Sequence, residues 1–211
     1  RKIATDNSIV LIFDECTSGF RETFGGLHKK YEVEPDLAIF AKALGNGYAI
    51  SACIGRKEVM QAAESTFISS TFWTERVGPS AALKTLEVME REKSWKLITN
   101  NGSDILSKWN QLAKKYELDI NTFGLPSLAA FNFISANALV YKTLITQEML
   151  KKGFLAANSV YVCTEHSPKI INDYFEALDP IFKLIKEFED GRDFKKFING
   201  PICHSGFTRL N

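Results

Sequence analysis

At 211 residues, with 45% apolar and 24% charged side chains, the chain has the composition of an ordinary folded protein of one or two domains. Its 26 basic and 25 acidic side chains leave a net charge of +1, which gives no reason to expect a nucleic-acid or anionic-membrane partner. No run approaches the ~18 consecutive apolar residues of a membrane span, and no charged start followed by an apolar core marks a signal segment. The four cysteines (Cys16, Cys53, Cys163, Cys203) and three histidines fall in no disulfide or metal-binding spacing, so a reducing cytoplasm and no metal are the expectation.

Arg1-Lys2-Ile3-Ala4 reads as the last turn of a helix already under way, so an N-terminal part is expected to precede it. Ile9-Val10-Leu11-Ile12-Phe13 is a continuous apolar run with β-branched residues, the pattern of a strand covered on both faces in a parallel α/β sheet. It delivers Asp14 and Glu15 at its C-terminal end, where open α/β sheets place their ligands. Leu37-Ala38-Ile39-Phe40 delivers Lys42 in the same way. Taken singly, Asp14 also suits a strand-end cap, and Lys42 an ordinary surface lysine at a strand–loop junction. A lysine becomes a nucleophile only when its ammonium loses a proton, and a carboxylate and an amine at two strand exits form a candidate chemical site.

Gly45-Asn46-Gly47 reads as a tight turn after the lysine strand. A short strand over 48–55, a short helix over 56–64 and a polar segment over 65–75 follow. Pro79 opens a helix reaching about Trp95, and Trp73 and Trp95 read as packing anchors. From about Ile98 the pattern becomes α+β. An amphipathic helix covers 101–116, a turn 124–127 and a strand 128–135. Thr146 caps a short helix over 147–152 that ends at Gly153, and a short strand covers 160–163. Ser167-Pro168 starts a long helix toward Gly191, with Ile171, Phe175, Leu178, Phe182 and Ile185 at core spacing.

The motifs Phe13-Asp14-Glu15, Gly19-Phe20-Arg21, Gly25-Gly26, Tyr31-Glu32-Val33-Glu34-Pro35-Asp36-Leu37 and Lys42 with Gly45-Asn46-Gly47 agree together in order and spacing. Over 10–59 the chain resembles class III aminotransferases, pyridoxal-phosphate (PLP) enzymes of fold type I, and within them most resembles the glutamate-1-semialdehyde 2,1-aminomutase subgroup. The resemblance implies an α/β fold. Residues 1–97 would be the C-terminal portion of the PLP-binding large domain, with a mostly parallel sheet, and 98–211 an α+β small domain. It implies that Lys42 forms the Schiff base with PLP and that Asp14 pairs with the protonated pyridine nitrogen. Cys16 stands where the family commonly has an aliphatic residue packing on the cofactor ring, a place a thiol can fill as a small hydrophobe.

The resemblance also implies a threonine contact to the PLP phosphate of a neighbouring subunit, best matched by Thr71, with Ser70 and Thr74 as alternatives. It implies a homodimer with a shared active site and small-molecule amino donors and acceptors. The family's phosphate-cradling loop would lie in the preceding N-terminal part. Arg209 is the candidate for gripping a substrate carboxylate, although a basic C-terminus explains it as well; Arg21 is expected to fix the loop after the Asp14 strand. Two other readings stand beside amino transfer, within which a transaminase and an intramolecular aminomutase are both open. One is a truncated, non-catalytic partner subunit. The other is a nucleotide hydrolase in which 9–15 is a Walker B strand, although this sequence has no phosphate-binding Gly-x-x-x-x-Gly-Lys-Ser/Thr loop.

Overall fold

The computed structural model describes residues 1–206. The chain divides into two compact units, Arg1–Ile98 and the described part of Thr99–Asn211. The first unit contains α1 (Lys2–Asp6), β1 (Ile12–Asp14), β2 (Leu37–Phe40), β3 (Ala52–Gly55), α2 (Lys57–Met60) and α3 (Val77–Glu92). Its strands form one sheet in the order β1-β2-β3, with β1 and β2 parallel and β2 and β3 antiparallel.

The register of the parallel pair is pinned by Asp36. Its Oδ2 accepts the Leu11 backbone N–H at 2.8 Å and an Arg1 guanidinium N–H at 2.8 Å. The Asp36 backbone N–H in turn donates to the Leu11 carbonyl at 2.8 Å, so the two strand entries are tied in both directions. The ladder then pairs Ile12 with Leu37, Phe13 with Ala38 and Asp14 with Ile39. Alternation along β2 turns Ala38 and Phe40 into a core shared with Leu44 and Ala82, and Phe20, Ile50, Ala52 and Leu86 pack around it.

The apolar run before Asp14 departs from its expectation. The strand begins at Ile12, and Ile9, Val10 and Ile12 are 55%, 48% and 51% exposed. In this three-stranded sheet β1 is an edge strand, and apolar composition alone does not supply the layer that would cover both faces. The expected strand over 48–55 is confined to β3, and the helix expected over 56–64 is α2 continued by a 3-10 segment, Gln61–Ser65. Helix α3 starts two residues before Pro79, where a Glu75 carboxylate oxygen accepts the Gly78 N–H at 2.9 Å, and it stops at Lys93, whose φ is +51°. Trp95 packs against Phe24 with ring centroids 5.4 Å apart. Trp73 does not act as an anchor; it is 69% exposed in the polar segment.

The chain enters the second unit within α4 (Ser94–Lys115), which begins seven residues before the helix expected over 101–116 and takes in the end of the preceding expected helix. There follow β4 (Ile120–Phe123), β5 (Leu128–Phe133), α5 (Ala138–Lys151), β6 (Ser159–Tyr161) and α6 (Pro168–Glu189). The three strands form an antiparallel sheet in the order β4-β5-β6, and β4 was not anticipated. Helix α5 replaces the expected short helix: Thr146 lies inside it, its hydroxyl donating to the Lys142 carbonyl at 3.0 Å. Ser167 caps α6, its Oγ accepting the Ile170 N–H at 3.4 Å, with Pro168 at the first turn.

The stripe on α6 is core, as the spacing predicts: Leu178, Phe182 and Ile185 are fully buried, and Ile171 nearly so, while Phe175 is half-buried. Phe131 of β5 packs on Trp109 of α4 with ring centroids 4.7 Å apart, and Trp109 Nε1 donates to the Tyr174 hydroxyl at 3.1 Å. Burial raises the Tyr174 hydroxyl's pKa far above its usual range, so it serves as a neutral partner. Among the described residues, no helix is long and apolar enough to cross a membrane.

Candidate active site

Asp14 is the last residue of β1, and Lys42 follows β2 after one intervening residue, Ala41. Because the strands run parallel, both side chains emerge at the same end of the sheet. Phe40 and Leu44, on either side of Lys42, are 5% and 6% exposed, which fixes the backbone there and leaves the Lys42 side chain in solvent. Lys42 itself adopts φ +42°, a left-handed conformation uncommon for a residue with a side chain. Non-glycine residues held this way occur disproportionately at functional sites.

Asp14 is exposed, and its carboxyl titrates below the ordinary aspartate value. Hydrogen bonds from Cys16 are the main cause, the backbone N–H donating to Oδ1 at 3.0 Å and the thiol adding a second bond; the charge of Lys42 contributes as well. The same contact raises the Cys16 thiol above its ordinary value, because the protonated thiol donates a hydrogen bond to a carboxylate whose charge also opposes a thiolate. Cys16 thus sits beside Asp14 and keeps it ionised. That electrostatic part is one the sequence reading, which saw only a small hydrophobe, did not assign.

Glu15, the second carboxylate of the pair, points the other way. It is 3% exposed; its Oε1 accepts the His28 backbone N–H at 3.0 Å and lies 3.2 Å from His28 Nδ1, and its Oε2 accepts the Ser18 hydroxyl. Burial works against its charge, but the bonds from Ser18, Leu27 and His28 outweigh it and hold the carboxyl below the usual glutamate value. A buried carboxylate so engaged cannot activate water, which leaves the nucleotide-hydrolase reading without its base. The Glu15 cluster instead ties the loop 15–28 to the strand end. Gly26 is needed there: a Cβ would lie 2.2 Å from His28 Nδ1 and 2.9 Å from Glu15 Oε1.

Thr17 was missed from the sequence. Its Oγ1 accepts a hydrogen bond from Lys42 Nζ. The signal that could have found it is register: Asp14 pairs with Ile39, so Thr17 and Lys42 lie equally far beyond the same rung. Thr71 lies in an exposed turn with Ser70 and Thr74, where the Phe72 N–H donates to Ser70 Oγ at 3.3 Å. No hydrogen bond among the described residues links these three to the Asp14–Lys42 pair. Arg21 lies in the loop after β1, where its N–H donates to the Ser18 carbonyl at 3.2 Å. Arg209 lies outside the described residues. Among the described residues no group of His, Cys, Asp and Glu is placed to hold a metal.

An ionised carboxylate facing the same end as a lysine amine suits a cofactor with a basic ring nitrogen and an aldehyde, the chemistry of PLP. The fold agrees. A structure of the PLP internal aldimine form of the FumI protein from Sphingopyxis sp. MTA144 superposes with a TM-score of 0.83 at 21% identity, covering 92% of this chain and 47% of that one.

Residues 1–173 match the family described as Aminotransferase class-III, and the chain belongs to that family. It is 33% identical over 193 residues to 3-aminobutyryl-CoA aminotransferase of Cloacimonas acidaminovorans, covering 89% of this chain and 47% of the relative. It is 28% identical over 203 residues to glutamate-1-semialdehyde 2,1-aminomutase of Methanococcus maripaludis, covering 88% and 47%. The chain thus spans about half the length of the curated relatives it matches.

Proposed function

We propose that the full-length protein carrying this chain transfers amino groups with PLP, Lys42 holding the cofactor's aldehyde carbon and Asp14 facing its ring nitrogen. The observation that carries this reading is the parallel β1–β2 pair, which brings an ionised Asp14 and the Lys42 amine to one sheet end, each within the other's field. Bound there, PLP supplies an electron sink for charge developing at the substrate α-carbon. Asp14 holds the proton on the ring nitrogen. Lys42 Nζ would be the base that removes the substrate α-proton and the acid that returns it. Cys16 keeps Asp14 charged and offers its sulfur to the ring's surroundings.

The names of the relatives support both transfer between two molecules and transfer within one, so the substrate is taken as a small amino donor with a carbonyl acceptor. We take 1–97 as the C-terminal portion of the cofactor-binding large domain and 98–211 as the small domain. Exposure of Ser70, Thr71 and Thr74 suits a contact made to the phosphate of a partner subunit, and a homodimer follows from that assignment. Arg209 is the proposed carboxylate grip. Four free cysteines support a reducing, cytoplasmic setting.

The test is the absorption spectrum of the full-length protein with PLP, before and after borohydride, with peptide mapping of the reduced product. The expected result is a band near the visible edge that borohydride bleaches, with the pyridoxyl group on Lys42. A folded protein that takes no adduct on Lys42 in excess PLP overturns the assignment and favours the non-catalytic partner subunit.

A further inference from the structure

Two features of Lys42 stand apart from its role as an attachment point. Its backbone is fixed in the left-handed region between buried Phe40 and Leu44, with its carbonyl accepting the Asn46 N–H at 3.0 Å. Its side chain has one hydrogen-bond partner among the described residues, the neutral hydroxyl of Thr17. Asp14 is near enough to feel the lysine's charge, yet no Lys42–Asp14 ion pair is among those the described residues form. An exposed ammonium near a carboxylate is free to reach it, since its four-carbon stem can turn.

Thr17 is itself held in place. The turn that carries it is closed by the Gly19 N–H donating to the Glu15 carbonyl at 2.8 Å, and Glu15 is buried against Ser18 and His28. A β-branched side chain there has restricted χ1 freedom, so the hydroxyl is presented from a rigid base.

We propose that Thr17 is a positioning residue that holds the Lys42 amine away from Asp14, keeping the carboxylate open for the cofactor's ring nitrogen and the amine aimed at its aldehyde. The inference rests on Lys42 being the PLP lysine. Replacing the hydroxyl by a methyl group lets the ammonium collapse onto Asp14, and the two groups that must receive PLP then occupy each other. Capture of PLP slows by about five- to tenfold, the scale of one charge-assisted hydrogen bond discounted for exposure.

The experiment measures the rate of PLP capture by the cofactor-free full-length protein by stopped-flow absorbance, for wild type, Thr17→Val, Thr17→Ala and Thr17→Ser. Asp14 is followed alongside by carboxyl-carbon NMR without cofactor. The expected result is slow capture in the Val and Ala variants, recovery in the Ser variant, and an Asp14 carboxyl that titrates lower in the variants lacking the hydroxyl. Capture at wild-type rate in Thr17→Val and Thr17→Ala overturns the inference, as does a Ser variant as slow as the Val variant. Two variants lacking the hydroxyl keep the test valid if one fails to fold. Borohydride mapping on the wild type separates the two levels: no adduct on Lys42 sinks the cofactor assignment, whereas a Lys42 adduct with unaltered Thr17 variants sinks only the role of Thr17.

Discussion

Cys16 turns back on Asp14, its backbone N–H donating to the Asp14 carboxylate at 3.0 Å while its thiol adds a second bond. The residue two positions after the aspartate therefore acts on the carboxylate directly. In Cys16→Val the backbone bond persists and the thiol bond is lost, so the Asp14 carboxyl moves up toward the ordinary value of about 3.9. Carboxyl-carbon NMR of the cofactor-free protein measures that movement. An Asp14→Asn variant keeps the shape and loses the charge. We expect it to lower amino transfer by at least about tenfold, the equivalent of one pKa unit of pairing, measured as kcat/KM.

Glu15 supplies a pH dependence of stability. Its carboxyl lies below its unfolded value in the native state because hydrogen bonds from Ser18, Leu27 and His28 outweigh the burial that opposes its charge. A depressed native value means the contribution is fully present above the unfolded glutamate value of about 4.3 and is lost as pH falls through the lower native value. Glu15→Gln should flatten the fall in melting temperature on the acid side and cost about 1–3 kcal/mol at neutral pH, read from denaturant unfolding.

Gly19 has no room for a side chain. A Cβ there would lie 2.7 Å from the Glu15 carbonyl oxygen and 2.7 Å from the Phe40 ring. Gly19→Ala must push the Glu15 turn away from the ring that anchors the strand leading to Lys42. The expected cost is about 1–3 kcal/mol, with weakened PLP capture alongside it. Thermal unfolding and cofactor titration measure the two effects separately.

Two tryptophans of opposite burial make a paired prediction. Trp109 is fully buried against Phe131 and donates to Tyr174. Trp109→Ala should destabilise the second unit by about 3–5 kcal/mol. Trp73 is 69% exposed, and Trp73→Ala should change stability by no more than about 0.5 kcal/mol. Denaturant midpoints of the two variants, compared with wild type, test the contrast.

The chain's local patterns by themselves determined where the candidate site lies. Asp14 and Lys42 each close a short apolar run, and parallel pairing puts such ends together whatever else surrounds them. The α6 stripe and the Ser167-Pro168 start were legible for the same reason, since helical spacing and a cap are local. Helix α5 was not. Val140, Thr143, Ile145 and Thr146 lower its local helix propensity, and the helix forms because Tyr141, Leu144, Ile145 and Met149 are buried by the fold. Only tertiary structure decided what the neighbours of Asp14 do. Thr17 takes the lysine because of which strand lies alongside and in what register, a partner 25 residues away. Glu15 turns inward to His28 because the loop folds back over the strand end, and the Cys16 bond to Asp14, though local, forms only in the turn that this loop imposes.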